Sequence, residues 1–221
     1  MFELLTKLVA AYLIGGVMGG DVLRAVLGGE DLRRTGSGNV GATNALRNRS
    51  KGFALGVLAI DIGKGVLAAA LIPRLDWPWA GHSTLSMTAL AYACGAAVVL
   101  GHCYPLLQKF RGGKGVATLT GVCGALLPWA LPWMLLAFVL TLLIGGYVSL
   151  ASLLAAATAV LWVVVDMSAG LLSPAGAFVL AMLVLLLVKH RENIQRLARG
   201  EERRFERARM IGRRLDRWRG R

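Results

Sequence analysis

Residues 115–148 read GVATLTGVCGALLPWALPWMLLAFVLTLLIGGYV, a stretch with no acidic or basic side chain. Such a run exceeds what one core helix needs and accommodates two membrane helices, because each span takes roughly 17–25 residues. Pro128 and Pro132 mark the break between them, since proline ends helices and a turn containing Pro and Trp suits the membrane interface. Working outward, further apolar runs fall at 4–27, 53–73, 84–104, 150–166 and 174–189 beside those at 115–131 and 132–148. The expected fold is an all-α polytopic membrane protein, a bundle of about seven transmembrane helices. Six is the alternative count, because the fourth, fifth and sixth runs are short or closely joined. Hydrophobic content of 56% and a mean hydropathy of +0.61 over 221 residues exclude an ordinary soluble domain.

Charge orients the bundle, because Lys and Arg accumulate on the cytoplasmic side. Thirteen of the 25 basic residues lie from Lys189 to Arg221. Others follow the first run (Arg33, Arg34, Arg47, Arg49, Lys51) and the third (Lys109, Arg111, Lys114), whereas the second connection has only Arg74. A periplasmic N-terminus, seven spans and a cytoplasmic C-terminus satisfy this distribution. The net charge of +13 is then a topology signal, and nucleic-acid binding is not expected of a tail hung on a membrane helix. The first run is read as a mature helix rather than a secretory signal, since it is long and carries Asp21 and Arg24 near its end. Cys94, Cys103 and Cys123 show no paired spacing and are assigned to packing.

The polar residues gather in four segments. Gly36-Ser37-Gly38-Asn39-Val40-Gly41-Ala42-Thr43-Asn44-Ala45-Leu46-Arg47 follows the first run. Its glycines permit close backbone approach to a ligand, its hydroxyls and amides supply neutral hydrogen bonds, and Arg47 supplies a forked cation. It reads as a phosphate cradle or, alternatively, as a polar turn between helices. Gly112-Gly113-Lys114-Gly115 stands at the expected start of the fourth helix, where open N–H groups and the helix dipole attract anions. It is not a Walker A loop, since Gln108 occupies the position of the first glycine. Ser149 and Ser152 follow Tyr147, either facing one ligand or capping and packing a helix. His190 and Asn193, three apart beyond the last run, share a face if the helix continues. The assigned topology puts all four segments on the cytoplasmic side.

The motifs GSGNVGATNALR at 36–47, GHCYPLLQKFRGGKGVAT at 101–118, YVSLAS at 147–152 and KHRENIQRL at 189–197 resemble those of the bacterial acyl-phosphate:glycerol-3-phosphate acyltransferases, the PlsY family, over essentially the whole chain. The resemblance implies a seven-helix enzyme of the inner membrane with its active site facing the cytoplasm. It implies transfer of a fatty acyl group from acyl phosphate to the 1-hydroxyl of sn-glycerol 3-phosphate, giving lysophosphatidic acid and inorganic phosphate. The partners implied are these two substrates, the lipid bilayer and an upstream enzyme that makes acyl phosphate. Carried over by motif, Ser37, Arg47, Lys114 and His190 are catalytic. Gly38, Asn39, Gly41, Thr43, Asn44, Ser149 and Asn193 bind substrate and phosphate. Gly146 departs from the pattern, because a basic residue is expected before the Tyr-Val-Ser segment.

Acyl phosphate is already activated, so direct attack by the glycerol hydroxyl needs positioning and charge stabilisation rather than an acyl-enzyme. A substrate phosphate is expected to take the hydroxyl proton. His190 is the competing base, against a role in positioning phosphate or capping the helix. His102 is expected to shape the Gly112 to Gly115 loop, and His82 falls on the external side. No histidine is followed by aspartate at the spacing of the other large glycerolphosphate acyltransferase family, which favours acyl phosphate over acyl-CoA. No cofactor or metal is expected, for want of a dense His, Cys or carboxylate cluster.

Asp61 and Lys64, inside the second run, read as an ion pair joining helices or as part of the site floor. Residues 1–200 are expected to form the transmembrane domain and 201–221 a basic tail. In that tail Phe205, Ala208, Ile211, Leu215 and Trp218 suggest an interfacial amphipathic helix on anionic lipid. Two other classes are weighed against the enzyme. A phosphate transporter predicts access from both faces and an inverted repeat, and a noncatalytic lipid-binding scaffold leaves the convergent polar groups without a ligand.

Overall fold

The computed structural model describes residues 2–77, 81, 83–166, 170–206 and 208–219, and His82 lies outside them. Among the described residues the regular structure is entirely helical, and the chain divides into two compact units, Met1–Pro128 and Trp129–Arg221.

The first unit holds α1 (Phe2–Gly15), α2 (Gly19–Leu27), α3 (Ala42–Asn48), α4 (Lys51–Ala70), α5 (Met87–Cys103) and α6 (Val116–Leu126). Serine starts the long helices: Ser50 Oγ accepts from Phe53 N at 3.1 Å and Ser86 Oγ from Ala89 N at 3.2 Å, satisfying donors that have no partner inside the helix. The α4 and α6 backbones meet almost directly. A β-carbon at Gly65 would overlap the Thr118 carbonyl, and one at Gly121 would overlap the Ile62 carbonyl. This is the small-residue packing by which membrane helices gain contact when lipid removes the hydrophobic drive between them.

The run expected as one first span is broken. α1 and α2 meet at 50° across three residues, and buried groups of α4 close the gap. Lys64 Nζ donates to the Gly15 and Val17 carbonyls at 2.9 and 2.8 Å, while Asp61 Oδ1 accepts from Gly19 N at 3.2 Å and pairs with Lys64 at 2.9 Å. Broken backbone at membrane depth is costly unless its groups are satisfied internally. The pair expected to join helices therefore also caps both ends of the break.

The two ends of this unit are distinguishable. At one, Lys7 Nζ pairs with Glu3 at 2.5 Å and donates to the Pro73 carbonyl at 2.9 Å, and Glu3 accepts from Ser83 N. At the other, Arg33 Nε donates to the Arg111 carbonyl at 3.2 Å, bringing both glycine segments together.

The second unit holds α7 (Leu131–Gly145), α8 (Val148–Asp166), α9 (Pro174–Lys189), α10 (Arg191–Ala198) and α11 (Met210–Arg219). Pro132 lies in the first turn of α7, where a missing N–H costs nothing, so the turn before α7 contains Pro128 alone. α8 packs on α7 and α9, and α9 turns by 62° into α10 at His190.

Among the described residues, Lys51–Arg74, Met87–Gln108 and Val148–Asp166 are long and apolar enough to cross a membrane, and counting each bent pair as one span raises the number to five. Val116–Leu126 and Leu131–Gly145 occupy the remaining expected runs. The 11 residues of α6 rise only about 16 Å, well short of a bilayer core of about 30 Å.

Residues 201–221 group with the second unit. Phe205 N donates to the Gly146 carbonyl at 2.7 Å, and α11 packs on α7. The tail helix starts at Met210, so Phe205 and Ala208 lie outside it, and the side chains of Leu215 and Trp218 fall outside the described residues. Gly121→Val should lower stability by about 1–3 kcal/mol through overpacking, read as a reduced thermal midpoint in detergent, whereas Gly63→Ala, at an exposed position of α4 with open space around it, should leave it near the parent value.

Candidate active site

The first polar segment is half turn and half helix. Gly36 and Gly38 take φ of 58° and 70°, and α3 begins at Ala42, so Thr43, Asn44 and Arg47 are helical rather than part of a loop. Asn44, only 2% exposed, is the centre of this segment. Its Nδ2 shares two hydrogens among the carbonyls of Leu32, Thr35 and Asn39 at 3.0, 3.0 and 2.9 Å. Its Oδ1 accepts from Ser37 N at 3.0 Å and from Asn48 Nδ2 at 2.8 Å. One amide thus gathers five groups of the turn, and its capacity is spent inside the segment. That geometry gives Asn44 a part in holding the turn. Beneath it Ala45 packs with Leu32, Phe53, Ala54 and Val57. Ser37 and Gly38 are exposed at the rim, while Asn39, Gly41, Thr43 and Arg47 are half-buried.

A charged network ties this segment to the second one. Arg33 forks onto both oxygens of Asp21 at 2.7 and 3.0 Å while its Nε reaches the Arg111 carbonyl. The Asp21 hydrogen bonds raise the Arg33 guanidinium above its ordinary pKa against the opposing effect of burial. Gln108 Nε2 approaches the same Asp21 at 3.5 Å.

In the second segment Gly113 N donates to the His102 carbonyl at 3.0 Å, and Gly115 takes φ of 84° to cap α6 without a side-chain acceptor. The first turn of α6 thus has no side-chain cap, and the half-buried Lys114 directly precedes its N-cap residue, an arrangement suited to an anion. His102 lies under this loop as expected: a β-carbon at Gly113 would strike its Nε2.

In the second unit Ser149 and Asn193 converge on a residue the sequence reading did not single out. Ser149 Oγ and Asn193 Nδ2 donate to Glu202 Oε1 at 2.8 and 2.6 Å, and Arg196 Nε donates to Oε2 at 2.9 Å. Burial works against the charged carboxylate, yet these three hydrogen bonds hold its pKa below the ordinary value of 4.5. His190 is buried at the α9–α10 bend, where Nδ1 lies 2.9 Å from the Leu186 carbonyl. A carbonyl only accepts, so Nδ1 carries the proton and Nε2 is the basic nitrogen of the neutral ring. Ser152 donates to the Val148 carbonyl at 2.8 Å and is a helix-internal hydroxyl. Gly146 takes φ of 78° as the cap of α7, a conformation that favours glycine, and the side chains of Arg204 and Arg209 pack where a side chain at 146 would point. Among the described residues no group of three or more His, Cys, Asp or Glu could hold a metal.

The sequence profile described as glycerol-3-phosphate acyltransferase matches residues 5–200. The chain belongs to the glycerol-3-phosphate acyltransferase family. It is 42% identical over 200 residues to a glycerol-3-phosphate acyltransferase of Rhodospirillum rubrum, covering 89% of this chain and 88% of that protein. The corresponding protein of Gluconobacter oxydans is 39% identical over 205 residues, covering 90% and 92%. A crystal structure of PlsY, an integral membrane glycerol 3-phosphate acyltransferase in its glycerol 3-phosphate form, superimposes with a TM-score of 0.77 at 35% identity, covering 91% of this chain and 95% of that one. Its lysophosphatidic acid form gives 0.75 at 32%, covering 91% and 94%. The family resemblance read from the four motifs is thereby shown, as is the all-helical membrane architecture.

Because Glu202 is charged when its partners hold it, its contribution to stability is full above the ordinary carboxylate range and is lost as pH falls through its depressed folded-state pKa. The thermal midpoint of the parent protein should therefore drop on acidification below about pH 4.5 more steeply than that of Glu202→Gln, with circular dichroism in detergent as the measurement.

Proposed function

We propose that this chain is a membrane acyltransferase that moves a fatty acyl group from acyl phosphate to the 1-hydroxyl of sn-glycerol 3-phosphate. The products are 1-acylglycerol 3-phosphate, which is lysophosphatidic acid, and inorganic phosphate. The observation that carries the reading is Lys114 set between glycines at the uncapped start of α6, on the end of the first unit that also holds the Ser37 turn. Ligand identity is supported by the relatives, whose solved forms hold glycerol 3-phosphate and lysophosphatidic acid.

In this mechanism Lys114 and the first α6 N–H groups take phosphate oxygens, and Arg47 supplies a second cation from α3. Ser37 and Thr43, with the backbone of Gly38, Asn39 and Gly41, complete the phosphate contacts, while Asn44 keeps that turn in shape. Ser149, its proton committed to Glu202, presents oxygen lone pairs to a glycerol hydroxyl. By the motif resemblance Asn193 and His190 also bind phosphate, with His190 Nε2 the alternative proton acceptor. The hydroxyl oxygen attacks the acyl carbon, the bond from that carbon to the phosphate oxygen breaks, and the hydroxyl proton passes to a substrate phosphate. Phosphate is a good leaving group, so no acyl-enzyme is required, and positioning together with charge stabilisation carries the rate.

Acyl phosphate as donor rests on the motif resemblance and on the missing His-to-Asp spacing. The orientation proposed has the N-terminus periplasmic and the glycine segments, Ser149 and His190 facing the cytoplasm of a bacterial inner membrane, following the positive-inside distribution. Acyl phosphate then enters from the bilayer and glycerol 3-phosphate from the cytosol, and an enzyme that makes acyl phosphate supplies the donor.

The test is turnover in reconstituted vesicles with glycerol 3-phosphate and either donor, measuring phosphate release and lysophosphatidic acid separately. Acyl phosphate should support both products and acyl-CoA neither; turnover with acyl-CoA alone overturns the donor, and glycerol 3-phosphate flux without product overturns the enzyme. Lys114→Ala should lose activity by about 100-fold or more with an unchanged thermal midpoint, and near-parent activity would remove Lys114 from the site.

A further inference from the structure

Asp61 does more than close the α1–α2 break. The carboxylate is 1% exposed and its Oδ1 lies 3.5 Å from Nδ1 of His102, which is itself buried on α5. Capping the break needs only Asp61 and Lys64, and an apolar side chain would fill α5 at 102 at lower cost than an imidazole. What His102 offers is on its other side. Its ring lies against Gly113, so closely that a β-carbon there would meet Nε2, and its carbonyl receives Gly113 N at 3.0 Å. That carbonyl is open to the loop because α5 ends at Cys103, which leaves the last carbonyls of the helix without an intrahelical donor. A β-carbon at Gly112 would overlap the same carbonyl. One residue thus supplies both the ring and the acceptor on which Gly112 and Gly113 lie, immediately before Lys114.

The charges favour one arrangement. Asp61 is balanced by Lys64, so a neutral imidazole leaves the cluster uncharged at membrane depth, with the ring proton on Nδ1 facing the carboxylate. The carboxylate then faces the Nδ1 edge of the ring across 3.5 Å, and the ring backs the loop. We propose that Asp61 and His102 are positioning residues for the phosphate loop, setting where the Gly113 backbone and Lys114 stand. The inference rests on the reading of Lys114 as a phosphate ligand given above.

The experiment uses the full chain in detergent or vesicles and measures kcat, the KM for glycerol 3-phosphate, and the rise in thermal midpoint that glycerol 3-phosphate produces. His102→Phe keeps the bulk of the ring and removes its Nδ1 donor. It should raise the KM about tenfold or more and shrink the ligand-induced midpoint shift, with the ligand-free midpoint near that of the parent. His102→Asn, which puts an amide N–H close to the place of Nδ1, should recover much of the loss. Combined with Gly113→Ala, either His102 variant should lose no more than the worse single change, because both act on one loop. Should His102→Phe not fold, the Asn variant carries the same cycle. A KM within twofold of the parent for His102→Phe, or strictly additive losses in the cycle, overturns the inference while an inactive Lys114→Ala leaves the phosphate reading standing. An active Lys114→Ala removes the reading beneath it.

Discussion

A buried carboxylate and ammonium on α4 are the constraint on which the first unit depends. A span broken at membrane depth exposes carbonyls and an N–H that lipid cannot satisfy. Lys64 takes the carbonyls of Gly15 and Val17, and Asp61 takes the N–H of Gly19, so the chain bends without leaving a polar group in hydrocarbon. The bend then sets α2 at its own angle, which places Asp21 where Arg33 can fork onto it, and Arg33 brings the first glycine turn to the Arg111 carbonyl. Both glycine segments of this unit are therefore referenced to one ion pair, which gives charges so expensive in a membrane a structural role at positions 61 and 64.

The helical runs were legible because their signal is coarse: unbroken apolar sequence separated by prolines, glycines and basic clusters. The break in the first run was not, since residues 8–20 carry no charge to mark it and the partners that stabilise the bend lie more than 40 residues on. The motif residues were legible as a set, but not their division of labour. Asn44 looks like Ser37 or Thr43 in a string of polar residues, and only the convergence of five backbone and amide groups separates a clamp from a ligand. Glu202 was hidden for a different reason. It stands in a strongly basic tail, where charge patterning points to a lipid surface, and its partners Ser149 and Asn193 are distant in sequence.

That tail changes how the second unit is understood. Gly146 at the end of α7 seemed to lack a cation, yet Arg204 and Arg209 reach back to flank it, with Arg204 Nε donating to the Tyr147 hydroxyl at 2.6 Å. The segment from 201 to 206 returns to the α7–α8 turn and fastens to it through the Phe205 N–H and the Glu202 carboxylate. Removing it would leave a buried hydroxyl and a buried amide without the acceptor they now share, which is a folding cost as well as a loss of surface charge.

The Asn44 clamp has a consequence for energetics. A glycine-rich turn is ordinarily a floppy element whose ordering subtracts from the affinity of whatever binds it. Here a single internal amide has already collected the turn around itself, and the hydrophobic residues under α3 anchor it from below. The conformational entropy is surrendered when the protein folds, so the phosphate proposed for this turn would meet a surface ordered before contact.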